Sequence, residues 1–121
     1  MAKEAIEIQD GKTIDYTLTE DVSVGDVVLL GTGMIGVATV SGLAGETIAL
    51  AIENVYQMPA ATADGIGVGD KLYFDHTNRE LTLKSDSNGD GTGTPFAPAG
   101  RAVAAKAANV AGTVNVKLNQ G

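Results

Sequence analysis

Apolar residues in this chain recur at every second position, in short runs that stop at glycine. In "KTIDYTLTE", residues 12–20, Ile14, Tyr16 and Leu18 point one way while Thr13, Asp15 and Thr17 point the other. Period two is the signature of a strand with one buried face, and it is incompatible with the 3.6-residue period of a helix. "AIEIQ" (5–9) alternates in the same way, and "DVVLLG", "MIGVATV", "ETIALAIENVYQM", "KLYFD", "ELTLK" and "GTVNVKLNQ" follow as further strands. "HTNR" (76–79) sits between two of them as a hairpin turn. Turn signals every eight to twelve residues predict an all-β fold: a compact barrel or sandwich of short antiparallel strands, with an extended N-terminal segment. Residues 1–10 form that segment, and 11–121 form a single β domain with an inserted loop at about 85–99.

Two stretches complicate this reading. "AGRAVAAKAANVAG" (99–112) is rich in alanine, the best helix former. Gly100 and Gly112 bracket it at strand-like spacing, so composition leaves helix and strand both open for 99–110. "SVGDVVLL" (23–30) and "GVGDKLYF" (67–74) echo each other. Each places Gly-Asp before an apolar strand, the chemistry of a tight turn with glycine at positive φ and the carboxylate closing the turn.

Composition excludes several functions. Aromatic residues make up 4% of the 121 and there is no Trp, so the core rests on Val, Ile, Leu and Ala. A thin core of this kind gains from assembly. The net charge of −7 opposes binding to phosphate backbones and anionic membranes. Charge is also uneven: residues 1–75 carry twelve acids against three bases, and 76–121 carry three acids against five bases. If the two parts end on different faces, subunits can meet acid to base. There is no cysteine, hence no disulfide or thiolate chemistry. "VVLLGTGMIGVATVSGLAG" (27–45) is long enough to suggest a membrane span, but five glycines and three hydroxyl residues break it into paired strands.

Motifs for chemistry are incomplete. "SDSNGDGTG" (85–93) resembles the front of a calcium loop, with Asp86, Asn88 and Asp90 at positions one, three and five. Position twelve, which needs a bidentate Glu, is Ala97. The same residues are the usual residues of turns, and the segment reads as an exposed, mobile loop between strands. "GKT" (11–13) ends like a P-loop, but Ile6 stands where its first glycine belongs. "GTGMIG" (31–36) has dinucleotide-fingerprint spacing with no helix after it. His76 is the only histidine and lies in a turn beside Asp75. No nucleophile has a partner base in its sequence context, so neither an enzyme nor a cofactor is indicated. A β-sandwich module binding glycans or a cell surface through a weak calcium loop is the alternative to the reading below.

The order of segments carries a resemblance. "VSVGDVVLLGTGMIGVA", "GETIALAIENVYQMP", "GVGDKLYFD" and the ending "VNVKL" occur in succession. The chain resembles, from about Ile6 to Leu118, the small capsid decoration (cement) proteins of tailed phages. That family was long a domain of unknown function, and some members are labelled predicted phage recombinases. The label fits poorly here, because strand exchange needs an intact P-loop and a basic groove. "SDSNGDGTGTPFAPAG" (85–100) departs from the family, whose members cross this place with a shorter turn. The resemblance implies an all-β protein on the outer surface of the phage head, made in the bacterial host cytoplasm. It would bind between capsomers of the major capsid protein as a trimer or other small homo-oligomer, without nucleic acid, membrane or cofactor. Ala5, Ile6, Glu7 and Ile8 are the expected contact strand to the shell or a sister subunit.

Overall fold

The computed structural model describes residues 12–31 and 33–120. No helix occurs among them, and the fold is all-β. Nine strands follow in order: β1 Thr13–Thr17, β2 Val27–Leu30, β3 Met34–Ala38, β4 Thr47–Ala51, β5 Val55–Ala60, β6 Lys71–Asp75, β7 Glu80–Thr82, β8 Ala97–Ala102 and β9 Gly112–Leu118. The first four form an open sheet in the order β1-β4-β3-β2, and the last five close a barrel in the order β5-β7-β6-β8-β9. Barrel and sheet share one core. Ile35, Val37 and Ala51 of the sheet pack with Leu72, Phe74, Leu81, Val114 and Val116 of the barrel. A smaller cluster of Leu18, Ala38, Ile48 and Leu50 fills the opposite face of the sheet.

The two parts repeat one plan. β1 pairs with β4 as β5 pairs with β9, β2 with β3 as β6 with β8, and β3 with β4 as β8 with β9. Within each part, two connections meet at a two-way backbone bridge: Val22 with Gly42, and Ile66 with Lys106. Each bridge leads into a turn with positive φ, at Gly25, Gly45, Gly69 and Asn109. In three of the four, the next residue's carboxylate closes the turn: Asp26 accepts from Ser23 N, Glu46 from Leu43 N, and Asp70 from Gly67 N. The echo visible in the sequence is therefore half of a fourfold pattern. The barrel has one strand more than the sheet. β7 runs antiparallel to β6 and touches β5 in parallel at Ala60 and Leu81, closing a gap that no described strand fills between β1 and β2.

The Ala-rich segment resolves into strand and turn. β8 covers its start, and Lys106 then takes the bridge to Ile66. Gly100, at φ +143°, marks where β8 shifts register against β6; a Cβ there would fall 1.9 Å from Lys117 O. Lys106 is buried, and its ammonium donates to the carbonyls of Thr62, Asp64 and Ala107 at 3.1, 2.8 and 3.0 Å. Three neutral carbonyls thus replace water around the charge. "ETIALAIENVYQM" is two strands rather than one, broken after Ala51 where Asn54 adopts φ +77°. Asn119 ties the parts together. Its side-chain oxygen accepts from Ile35 N, and its amide nitrogen donates to Ile35 O and Ile52 O.

Candidate interaction surfaces

The residues with chemical potential are occupied with structure. His76 packs edge-on to Phe96, with ring centroids 5.8 Å apart. Asp75 caps the β6–β7 turn, accepting from Thr77 N and from both the backbone and side-chain nitrogens of Asn78. Burial of that carboxyl raises its pKa, but the donors from Asn78 and Thr77, with His76 nearby, outweigh it and hold the group below the ordinary carboxylate value. Among the described residues no group of three His, Cys, Asp or Glu side chains is placed to hold a metal ion.

The 85–94 loop is exposed over most of its length, as the sequence suggested, and it is tied from within. Asp86 is only 3% exposed and bridges to Pro95. Its two carboxylate oxygens accept from Gly89 N and Gly93 N, and Ser87 Oγ accepts from Thr94 N. Asn88 donates to Thr92 Oγ1. The carboxylate of Asp90 accepts from Thr92 Oγ1 and N, which holds its pKa below the ordinary value. Asp86 and Asp90 therefore serve as turn-forming acceptors and Asn88 as a donor, each with its own partner.

Binding potential lies instead on outer faces and edges. Register places Lys71 of β6 opposite Arg101 of β8, and Arg101 opposite Lys117 of β9. Opposed residues share a face, so three cations cross the outside of the barrel in a row. Among the described residues neither lysine has a carboxylate at ion-pair distance; Lys71 lies 5.5 Å from the Tyr73 ring, and Arg101 donates to Gly69 O. Like charges in opposed positions cost stability. The sheet is acidic by contrast: residues 12–54 contain six acids and one base, Lys12. Sequence reading missed the row because its members are remote in the chain and meet only through pairing.

The second feature is the gap between β1 and β2. Both are edge strands of the sheet. Leu18 N bonds Glu46 O, and Ile52 N bonds Lys12 O. Antiparallel bonding alternates, so Asp15 and Thr17 turn their backbone groups away from β4 into the gap. On the other side Asp26 O accepts from Ala38 N, so Val27 and Leu29 also face the gap. Arg79, stacked over Phe74, reaches across from the β6–β7 turn and donates to Val27 O at 2.8 Å. A cleft of about 420 Å³ lies here, walled by Tyr16 and Leu18 on one side and by Val27, Val28 and Leu29 on the other.

Apolar side chains at the turn tips form a third feature. Val24 and Leu43 project from the sheet and Val68 from the barrel, the last 71% exposed. Ala5, Ile6, Glu7 and Ile8, the expected contact strand, lie outside the described residues.

A family model described as phage cement protein matches residues 8–118. No curated protein and no solved structure matches the chain.

Proposed function

The chain belongs to the phage cement protein family, and from that premise we propose that it decorates the outside of the phage head, binds the major capsid protein between capsomers and stabilises the shell. It does so without catalysis, as a trimer or other small homo-oligomer, after synthesis in the bacterial host cytoplasm. The observation that carries this reading is the family match across nearly the whole chain. The surfaces described above support it. A cement needs complementary faces and edges, and several modest contacts per oligomer add through avidity. The Lys71–Arg101–Lys117 row supplies a charged face, and the turn tips supply apolar contacts. Ala5 to Ile8 are the proposed contact strand.

The test is co-sedimentation with expanded heads that lack decoration, followed by heating of the decorated heads. The protein should pellet with the heads and raise the temperature at which they release DNA. Reversing Lys71→Glu and Lys117→Glu together should weaken pelleting, most visibly at low salt. A folded wild-type protein that stays in the supernatant at every salt concentration would refute the proposal.

A further inference from the structure

The sheet is a copy of the barrel that lacks one strand, and the barrel shows what that strand looks like. In the barrel, β7 lies between β5 and β6 and places Leu81, fully buried, opposite Phe74. Aligning the Gly-Asp turns sets Val28 with Leu72 and Leu30 with Phe74; the β1 and β5 pairings set Tyr16 with Met58. Leu72, Phe74 and Met58 are buried, whereas Val28, Leu30 and Tyr16 are only half-buried. The cover that Leu81 gives the barrel has no counterpart among the described residues of the sheet. The gap is lined by apolar side chains of Tyr16, Leu18, Val27 and Leu29 alongside charged ones such as Glu20, Asp26 and Arg79, and by backbone groups of Asp15, Thr17 and Leu29 that face away from their own sheet. That is the donor and acceptor set a strand-adding segment recognises.

We propose that this gap accepts residues 4–9 of a second copy of the chain, so that subunits join by arm exchange. The inference rests on the self-assembly in the proposed function. "EAIEIQ" has the required pattern: Ile6 and Ile8 face one way, and Glu-Ile-Gln at 7–9 matches Glu-Leu-Thr of β7 in polarity. Direction selects a second copy over the same chain. β7 runs antiparallel to β6 and parallel to β5. A segment doubling back from Lys12 would run antiparallel to β1 and parallel to β2, the reverse of that arrangement. An arm from a neighbour can enter in the direction of β7. The eleven residues before Lys12 span up to about 36 Å when extended, enough to reach an adjacent subunit.

The chain has no cysteine, so disulfide trapping has no background. Ile8→Cys is paired in turn with Val28→Cys and with Leu30→Cys, the two registers that keep residue 8 facing inward. Under mild oxidation, in free protein without heads, one of these pairs should give covalent dimers and higher oligomers. An intrachain disulfide would overturn the proposal in favour of the chain's own arm, and no disulfide in either pair would overturn it outright. In parallel, Ile6→Asp with Ile8→Asp should lower the solution mass to that of a monomer with the β signature of circular dichroism retained. An oligomer that survives this double change also overturns it. Interchain bonds support arm exchange whether or not the protein pellets with heads, so the sedimentation test fails or succeeds independently.

Discussion

Sheet and barrel are built on the same plan and differ by one three-residue strand. With β7 in place, the barrel buries Leu72, Phe74, Leu81, Val114 and Val116 almost completely. Without such a strand the sheet leaves Ile14, Tyr16, Val28 and Leu30 half-covered around its smaller cluster. The sheet therefore depends on the barrel through its inner face and is left incomplete on its other face. Exposed edge strands are ordinarily blunted by charge, proline or cover. Here Arg79 caps one carbonyl of the β2 edge, and among the described residues no strand pairs across the gap. Completion by assembly would explain why a protein with a thin core tolerates such an edge.

The largest predicted effect tests the closure of the barrel. Gly100→Ala forces a Cβ against Lys117 O in a backbone conformation that side chains rarely adopt. A loss of about 4 kcal/mol, or failure to fold, is expected from strain and overpacking together. Gly25→Ala in the sheet, also at positive φ but facing open space, should cost only about 1 kcal/mol. Urea unfolding of both variants measures the contrast, and equal losses would break it. Next comes Leu81→Ala, which should cost about 3 kcal/mol because the site is enclosed. Leu30→Ala, its half-covered neighbour by analogy, should cost about 1 kcal/mol in dilute protein. A Leu30 variant as damaging as the Leu81 variant would mean the sheet is already closed in the monomer.

Asn119→Ala removes three side-chain bonds that join the C-terminal end of the barrel to the sheet. About 2 kcal/mol is expected, with the loss falling first on the sheet in amide exchange. The smallest effect concerns pH. Asp75 has a depressed pKa in the folded state, so its contribution is fully present above the unfolded value, near 3.9, and is lost as pH falls through the folded value. Asp75→Asn should flatten the stability profile below about pH 4 relative to the parent chain. An unchanged slope would remove the cap from the account of the β6–β7 turn.

Much of this was legible in the sequence, and the rest was hidden for definite reasons. Alternation exposed the strands because each has one face on a core, as in Ile14-Tyr16-Leu18 and Val114-Val116-Leu118. Two of the four turns announced themselves as Gly-Asp. The other two were disguised by Glu46 in place of Asp and by Asn109-Val110, which keeps the positive φ without the carboxylate. The duplication could not be seen once half of its markers had changed. "ELTLK" was readable as a hairpin strand, but its role in closing the barrel depends on contact with Ala60, remote in the chain. The loop that looked most chemical, 85–93, uses Asp86 to bind its own amides. Asp and Asn serve turns and metal ions with the same oxygen atoms, so spacing alone did not separate the two.

Amide hydrogen exchange, measured on the Ile6→Asp, Ile8→Asp monomer and again on the wild-type oligomer, decides whether assembly completes the sheet. Amides on the open edges of β1 and β2, those of Asp15, Thr17 and Leu29, should exchange rapidly in the monomer and about tenfold or more slowly in the oligomer. Those in β6 and β7, at Phe74 and Leu81, should be slow in both. Equal protection of sheet and barrel in the monomer, or no slowing at the β1 and β2 edges in the oligomer, would contradict that completion.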